Sequence, residues 1–295
     1  MHRRRKSDAG VAFLFILPNV LGFLVFLLLP ILATLGLSLF DWPIMRPPTF
    51  IGFSNFVQLF SADPAFGRVV RNTFVFVGSY VAVNVVVALA FAVWVTSIRA
   101  GSSVFRSILY LPVLVTPVAI SMIWQLIYAP RFGLLNWVLG RVGINGPNWL
   151  GSMDWAMAAL VLMTVWQLFA QNMFIFVAGI QGIPVTIYEA AEIDGARRWA
   201  RFMHITLPML SPILFFGITL TLITSFQTFD QVFVLTQGGP GDATNILGLY
   251  VYNNAFRYFR MGYGAAVAVV IFVIVLIITM LQFRGQRRWV YYESE

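Results

Sequence analysis

The side chains best placed to do chemistry in this chain fall into two groups. The first is a run of carboxylates and small residues, Glu189-Ala190-Ala191-Glu192-Ile193-Asp194-Gly195-Ala196. Its acids do not assemble with a histidine into a general acid–base pair or a metal site. His2 and His204 stand apart in basic segments, and the chain has no cysteine, which excludes disulfide and thiolate–metal chemistry. Carboxylates on a thin, alanine-rich helix are instead suited to charge-assisted bonds with arginines of a docking partner. The second group is Trp166, Gln167, Gln171, Gln227 and Asp230, with Thr224, Asn172, Asn84 and Gln125 nearby in type and setting. Gln167 and Gln171 share a helical face, and Gln227 lies three residues from both Thr224 and Asp230. Amides and aromatic faces together suit the hydroxyls and C–H surfaces of a sugar. The same amides also serve to pin helix to helix, at about 0.6 kcal/mol per bond.

The elements that must position these groups are apolar helices. The chain is 60% hydrophobic and 10% charged, against about 25% charged in ordinary soluble domains. Its apolar residues fall into runs that meet the roughly 20-residue requirement of a membrane-crossing helix. The spans expected are Val11–Phe40, Val69–Ser97, Val104–Tyr128, Trp155–Ile180, Leu207–Phe229 and Tyr263–Phe283. The first is long, so tilting or bending at Pro18 or Pro30 is expected. Its apolar core also exceeds the roughly 7–15 residues of a signal-peptide h-region, which predicts a retained span. No β-barrel alternation is present. The fold class is therefore all-α, a polytopic membrane protein with six transmembrane helices. One membrane domain over 1–295 is expected. It comprises a tail, first span and outer loop (1–68), a core (69–283) and a cytoplasmic tail (284–295).

Orientation follows from the basic residues. With the N-terminus inside, Arg3, Arg4, Arg5, Lys6, Arg99, Arg106, Arg197, Arg198, Arg201, Arg284, Arg287 and Arg288 face the cytoplasm, and Arg46, Arg68, Arg71, Arg131, Arg141, Arg257 and Arg260 face outward. This bias puts both termini and residues 181–206 on the cytoplasmic side of the membrane. The net charge of +8 is thus topological, and its dispersal between spans argues against nucleic acid as a partner.

Within the cytoplasmic segment 184–206, Pro184 is placed to open a short helix and Gly195 to end it in the left-handed conformation. A second helix follows, with Trp199, Phe202, Met203 and Thr206 on a face suited to the membrane domain or lipid. Arg197, Arg198 and Arg201 are expected to point toward headgroups or water.

The pattern Glu-Ala-Ala-x-x-Asp-Gly-Ala, then Phe202 and Leu207-Pro208, resembles the EAA loop of bacterial ABC importer permeases, which contacts the ATPase. The stretch Phe229-Asp230-Gln231-Val232-Phe233-Val234-Leu235-Thr236-Gln237-Gly238-Gly239-Pro240, with Thr244 and Tyr252, resembles the outer segment of carbohydrate importer permeases. It is similar to the subunit type exemplified by the maltose and glycerol-3-phosphate permeases, in a shorter six-span form. The resemblance implies a type I permease fold and a coupling role for Glu189, Ala190, Ala191, Glu192, Asp194, Gly195 and Ala196. It also implies a sister permease subunit, two ATPase subunits, an extracytoplasmic solute-binding protein and a sugar substrate. No G-x-x-x-x-G-K-[ST] occurs in the chain, and its single lysine, Lys6, follows no glycine loop. No cofactor is expected on this chain, and ATP and Mg are expected on the partner ATPase. The competing readings are an ion-coupled secondary transporter and an integral membrane enzyme. The near absence of mid-membrane acids weighs against the first, and the scattering of the acids across loops against the second.

Overall fold

The computed structural model describes residues 4–98 and 100–291, with side chains from residue 12 onward. Arg3 and Arg99 of the charge pattern, and the end of the tail at 292–295, lie outside the described residues, as do the side chains of Arg4, Arg5 and Lys6. In chain order the helices are α1 (Arg4–Phe23), α2 (Leu29–Leu37), α3 (Ser54–Val57), α4 (Phe66–Ser97), α5 (Ser102–Leu114), α6 (Pro117–Ile127) and α7 (Leu134–Arg141). They continue as α8 (Met153–Gln181), α9 (Val185–Ile193), α10 (Arg198–Arg201), α11 (Leu207–Phe226), α12 (Asp230–Leu235), α13 (Leu247–Tyr252) and α14 (Met261–Gly285). A two-stranded antiparallel sheet pairs β1 (Phe40–Asp41) with β2 (Thr49–Phe50).

Five continuous helical stretches are long and apolar enough to cross a membrane among the described residues: Ala12–Leu37, Phe66–Ser97, Met153–Gly182, Arg198–Phe226 and Met261–Arg288. The third expected span, Val104–Tyr128, is not one straight helix. It is α5 and α6, bent by 97° at a short break. Thr116 precedes Pro117, and both Val115 and Thr116 take extended ψ values of 140° and 142°. A residue before proline resists the helical region, and Pro117 has no N–H to continue the ladder. The fifth span also differs from expectation at both ends. It begins at Arg198 and stops at Phe226, so Gln227 lies just beyond α11 while Asp230 opens α12.

The chain forms two compact units. One comprises residues 1–63 and 250–272. In it, α1 passes through a wide π turn at Leu24–Leu28 into α2, with Pro30 in the first turn of α2. The buried Asn55 side chain donates to the carbonyls of Ser38 and Phe40, both at 2.9 Å, tying α3 to the entry of the sheet. Asp63 accepts hydrogen bonds from the hydroxyls of Tyr250 and Tyr263. Burial first, then the Asp63 hydrogen bond, pushes the Tyr250 phenol up to about 12, so it stays a protonated donor at neutral pH. A Cβ at Gly262 would lie 1.8 Å from the Phe40 carbonyl oxygen, so only glycine lets α14 start there.

The second unit, 64–249 and 273–295, is built on α4 and α8, with α5 and α11 packed alongside. Ala88, Ala92, Ala156, Ala159 and Ala170 are fully buried. Gly179 and Gly217 complete the close approach of α8 and α11. A Cβ at Gly179 would lie 2.5 Å from Leu210 Cδ1, and one at Gly217 2.7 Å from Phe176 Cε1. Small residues at crossings are what bring helices together in lipid, where the hydrophobic effect supplies no attraction between them.

Candidate coupling surface and translocation face

The segment between α8 and α11 is a helical hairpin with both ends fixed by backbone chemistry. Pro184 precedes α9 with ψ 129°, and its carbonyl accepts from Ile187 N at 3.2 Å. At the other end Gly195 has φ +77°. Gly195 N donates to Glu192 O at 3.0 Å, and Ala196 N donates to Ala191 O at 2.9 Å. This pair of bonds is the Schellman closure, which needs a left-handed residue between them. A Cβ at Gly195 would meet nothing within 4 Å. Conformation, and not space, sets the glycine there.

Two side-chain ties fix α9 to the chain that follows. Arg201 donates to the Glu192 carboxylate at 2.8 Å, and the Tyr188 and Thr206 hydroxyls lie 2.9 Å apart. Arg201 therefore does not point toward headgroups or water, as its sequence position suggested, because the return of the chain at Gly195 brings it onto Glu192. Trp199 and Phe202 do lie beside α4, as expected, over Leu89, Ala90 and Val93. The second helix of the hairpin runs into α11 without interruption, through a π turn at Phe202–Thr206. Pro208, which cannot donate to the His204 carbonyl, accounts for the widened turn.

The outward surface of this hairpin is exposed. Glu189, Ala190, Glu192, Asp194 and Gly195 are open to solvent, with Ala191 and Ala196 half-buried. Val185 and Ile193, 68% and 87% exposed, stand four residues to either side of Glu189. They make an apolar stripe with a carboxylate at its centre. Sequence reasoning passed over these two residues, although their spacing of four about Glu189 was the available signal.

The intramembrane polar residues divide by burial. Asn172 is buried, and its amide donates to Asn84 Oδ1 and Thr221 Oγ1, each at 2.6 Å. One side chain thus joins α4, α8 and α11. Gln167 is also buried. It donates to the Val115 carbonyl, freed by the α5–α6 break, and accepts from the Gln231 amide, both at 3.4 Å. Gln231, absent from the sequence-level candidates, closes this link to α12. Gln125 donates to the Val234 carbonyl at 2.5 Å. By contrast Trp166, Gln171, Thr224, Gln227 and Asp230 are exposed. Gln167 and Gln171 therefore differ in environment despite their helical spacing. On α11 the exposed positions Phe216, Leu220 and Thr224 continue to Gln227 as one stripe, apolar at one end and polar at the other. Trp166 stands edge-on to Trp124, ring centres 5.4 Å apart. Among the described residues, no group of three His, Cys, Asp or Glu side chains could hold a metal ion.

The stretch after α12 is folded tightly onto α4. The Asn72 amide donates to the carbonyls of Asp242 and Asn245 at 2.7 and 3.2 Å, and Thr73 Oγ1 accepts from Leu247 N at 2.9 Å. Within the loop, the Thr236 and Thr244 hydroxyls are 2.7 Å apart, and Thr244 donates to the Gly239 carbonyl at 2.7 Å. Gly238, at φ +88°, turns the chain between them. The motif Thr-Gln-Gly-Gly-Pro is thus a self-bonded turn, and the residues that follow it are tied to α4.

The family of binding-protein-dependent transport system inner membrane components matches residues 1–290. The chain belongs to that family. As a member, it is 38% identical over 296 residues to the probable ABC transporter permease protein YesP of Bacillus subtilis, covering 99% of this chain and 94% of that one. It is 35% identical over 288 residues to the trehalose/maltose transport system permease protein MalF of Thermococcus litoralis, covering 96% of each. Its fold matches a chain of the bacterial alginate ABC transporter solved in complex with an alginate pentasaccharide-bound periplasmic protein. There the TM-score is 0.85 at 21% identity, covering 97% of this chain and 96% of the other. This permease is accordingly a multi-pass, all-α membrane protein with an ABC importer permease fold.

Proposed function

We propose that the chain is one permease subunit of an ATP-driven sugar importer. It forms half of the translocation path and couples to an ATPase through the α9 hairpin. The observation that carries the coupling role is an exposed stripe of Val185, Glu189 and Ile193 on a helix tied down at its cap, at Glu192–Arg201 and at Tyr188–Thr206. A surface both apolar and rigid transmits displacement, and the unbroken run from Arg198 to Phe226 carries it into the membrane. Names of similar proteins, such as the trehalose/maltose permease, support the sugar class. Trp166, Gln171, Gln227 and Asp230 offer exposed aromatic, amide and carboxylate groups for a polyhydroxylated solute, with Gln167 behind them as a support. The assembly comprises a sister permease, two ATPase subunits carrying ATP and Mg, and an extracytoplasmic binding protein, with both termini of this chain cytoplasmic.

The test is co-expression with the sister permease and ATPase, followed by sugar uptake and ATPase co-purification. Ile193→Glu, which places a charge on the exposed stripe and touches no span, should lose ATPase from the purified complex and lose uptake. Retention of both at the unmodified level would overturn the coupling assignment.

A further inference from the structure

A groove runs along the inner half of α4 on the side where the hairpin returns. Val86, Leu89, Ala90 and Val93 form its walls, and Trp199 and Phe202 close its lower part. From Val86 to Val93 the helix advances about 10 Å, the length of a substantial part of an acyl chain. Along that length the lining is hydrocarbon and aromatic. Its only charge is Arg198, at the end nearest the α4 terminus. Arg201, one turn on, is already engaged by Glu192, whereas neither Arg197 nor Arg198 has an ion pair among the described residues. Trp199 is 69% exposed, and an exposed indole at the start of a membrane-crossing helix is the side chain favoured where helices meet lipid headgroups.

The geometry points to a binding site for an anionic phospholipid, one acyl chain lying along α4 and the phosphate on the Arg198 guanidinium. The polarity of the groove matches that of the ligand, apolar for its length and cationic at one end. Guanidinium is well suited to the phosphate because its planar fork donates two parallel bonds. The site sits where α10 joins the long fifth span, so an occupied groove braces the base of the coupling hairpin against α4.

The test uses the assembled transporter in nanodiscs of zwitterionic phosphatidylcholine containing a fixed fraction of brominated lipid, which quenches nearby tryptophan. The Trp199 contribution is taken as the difference between the unmodified protein and Trp199→Phe. Brominated phosphatidylglycerol should occupy the site about fivefold more than brominated phosphatidylcholine at equal mole fraction, the effect of one basic side chain at an anionic surface. Arg198→Gln should abolish that preference, and Arg198→Lys should retain most of it. Equal quenching by the two lipids would overturn the proposal, as would a preference that survives Arg198→Gln. Absence of Trp199 quenching by either lipid would mean that a protein partner covers the groove, and would also overturn it.

Discussion

At the scale of single residues, Gly195 separates two reasons for needing a glycine. Open space surrounds its Cβ position, while its φ of +77° is one that side chains with a Cβ resist. Gly195→Asn, whose short polar side chain tolerates the left-handed region, should keep most of the uptake of the unmodified transporter. Gly195→Val, β-branched, should cost about 1–2 kcal/mol locally and lose uptake through a displaced hairpin. Similar uptake by the two variants would show that the Schellman closure does not matter to transport. Glu189→Lys carries a different expectation, since it leaves the backbone alone and reverses the charge at the centre of the exposed stripe. The permease should still insert and pair with its sister subunit, but ATPase recovered with it on affinity purification should fall well below that of the unmodified complex.

Among the elements, the buried amide of Asn172 joins α4, α8 and α11 through hydrogen bonds. Asn172→Leu removes two donated bonds and leaves Asn84 Oδ1 short of a partner away from water. At about 0.6 kcal/mol per intramembrane bond, the loss is on the order of 1 kcal/mol, read as a lower unfolding temperature of the detergent-purified complex. Gly217→Val presents an opposite fault, excess volume. Its Cβ would fall 2.7 Å from Phe176, and overpacking of this kind costs roughly 1–3 kcal/mol. Thermal unfolding should rank Gly217→Val at or below Asn172→Leu. Wild-type stability in both would mean that α8 and α11 are not held at this crossing.

For the whole molecule, the charge bias predicts sidedness. The chain has no cysteine, so single cysteines report without background. One at Asn145, in the exposed turn after α7, should react with an impermeant maleimide added to intact cells after outer-membrane permeabilisation. One at Arg197 should react only after the inner membrane is opened. The reverse pattern would place the hairpin outside and remove any route to a cytoplasmic ATPase.

Much of this protein is fixed by its sequence because the bilayer imposes a simple rule. A helix must carry about 20 apolar residues to cross it, so hydropathy alone located the spans to within a few residues at most ends. The exception is the start of the fifth, where the hairpin's second helix runs straight into the span. Local backbone chemistry was equally legible: Pro184 beside the start of α9 and Gly195 in the left-handed conformation follow from ring closure and the missing Cβ. The tertiary structure alone decided which face of each span is covered. Helices in lipid are apolar on every side, so periodicity does not distinguish a face packed on protein from one that meets hydrocarbon. That is why Gln167 and Gln171, one turn apart on α8, could be paired in sequence and yet prove to be buried and exposed. It is also why Gln231, though named within the family-like stretch after the fifth span, was not paired with Gln167 from sequence. The 97° bend between α5 and α6 had a visible cause in Pro117, but the partner of the freed Val115 carbonyl, the Gln167 amide on α8, came only with tertiary packing. The Glu192–Arg201 pair likewise required the chain to turn back at Gly195 before two residues nine apart could meet.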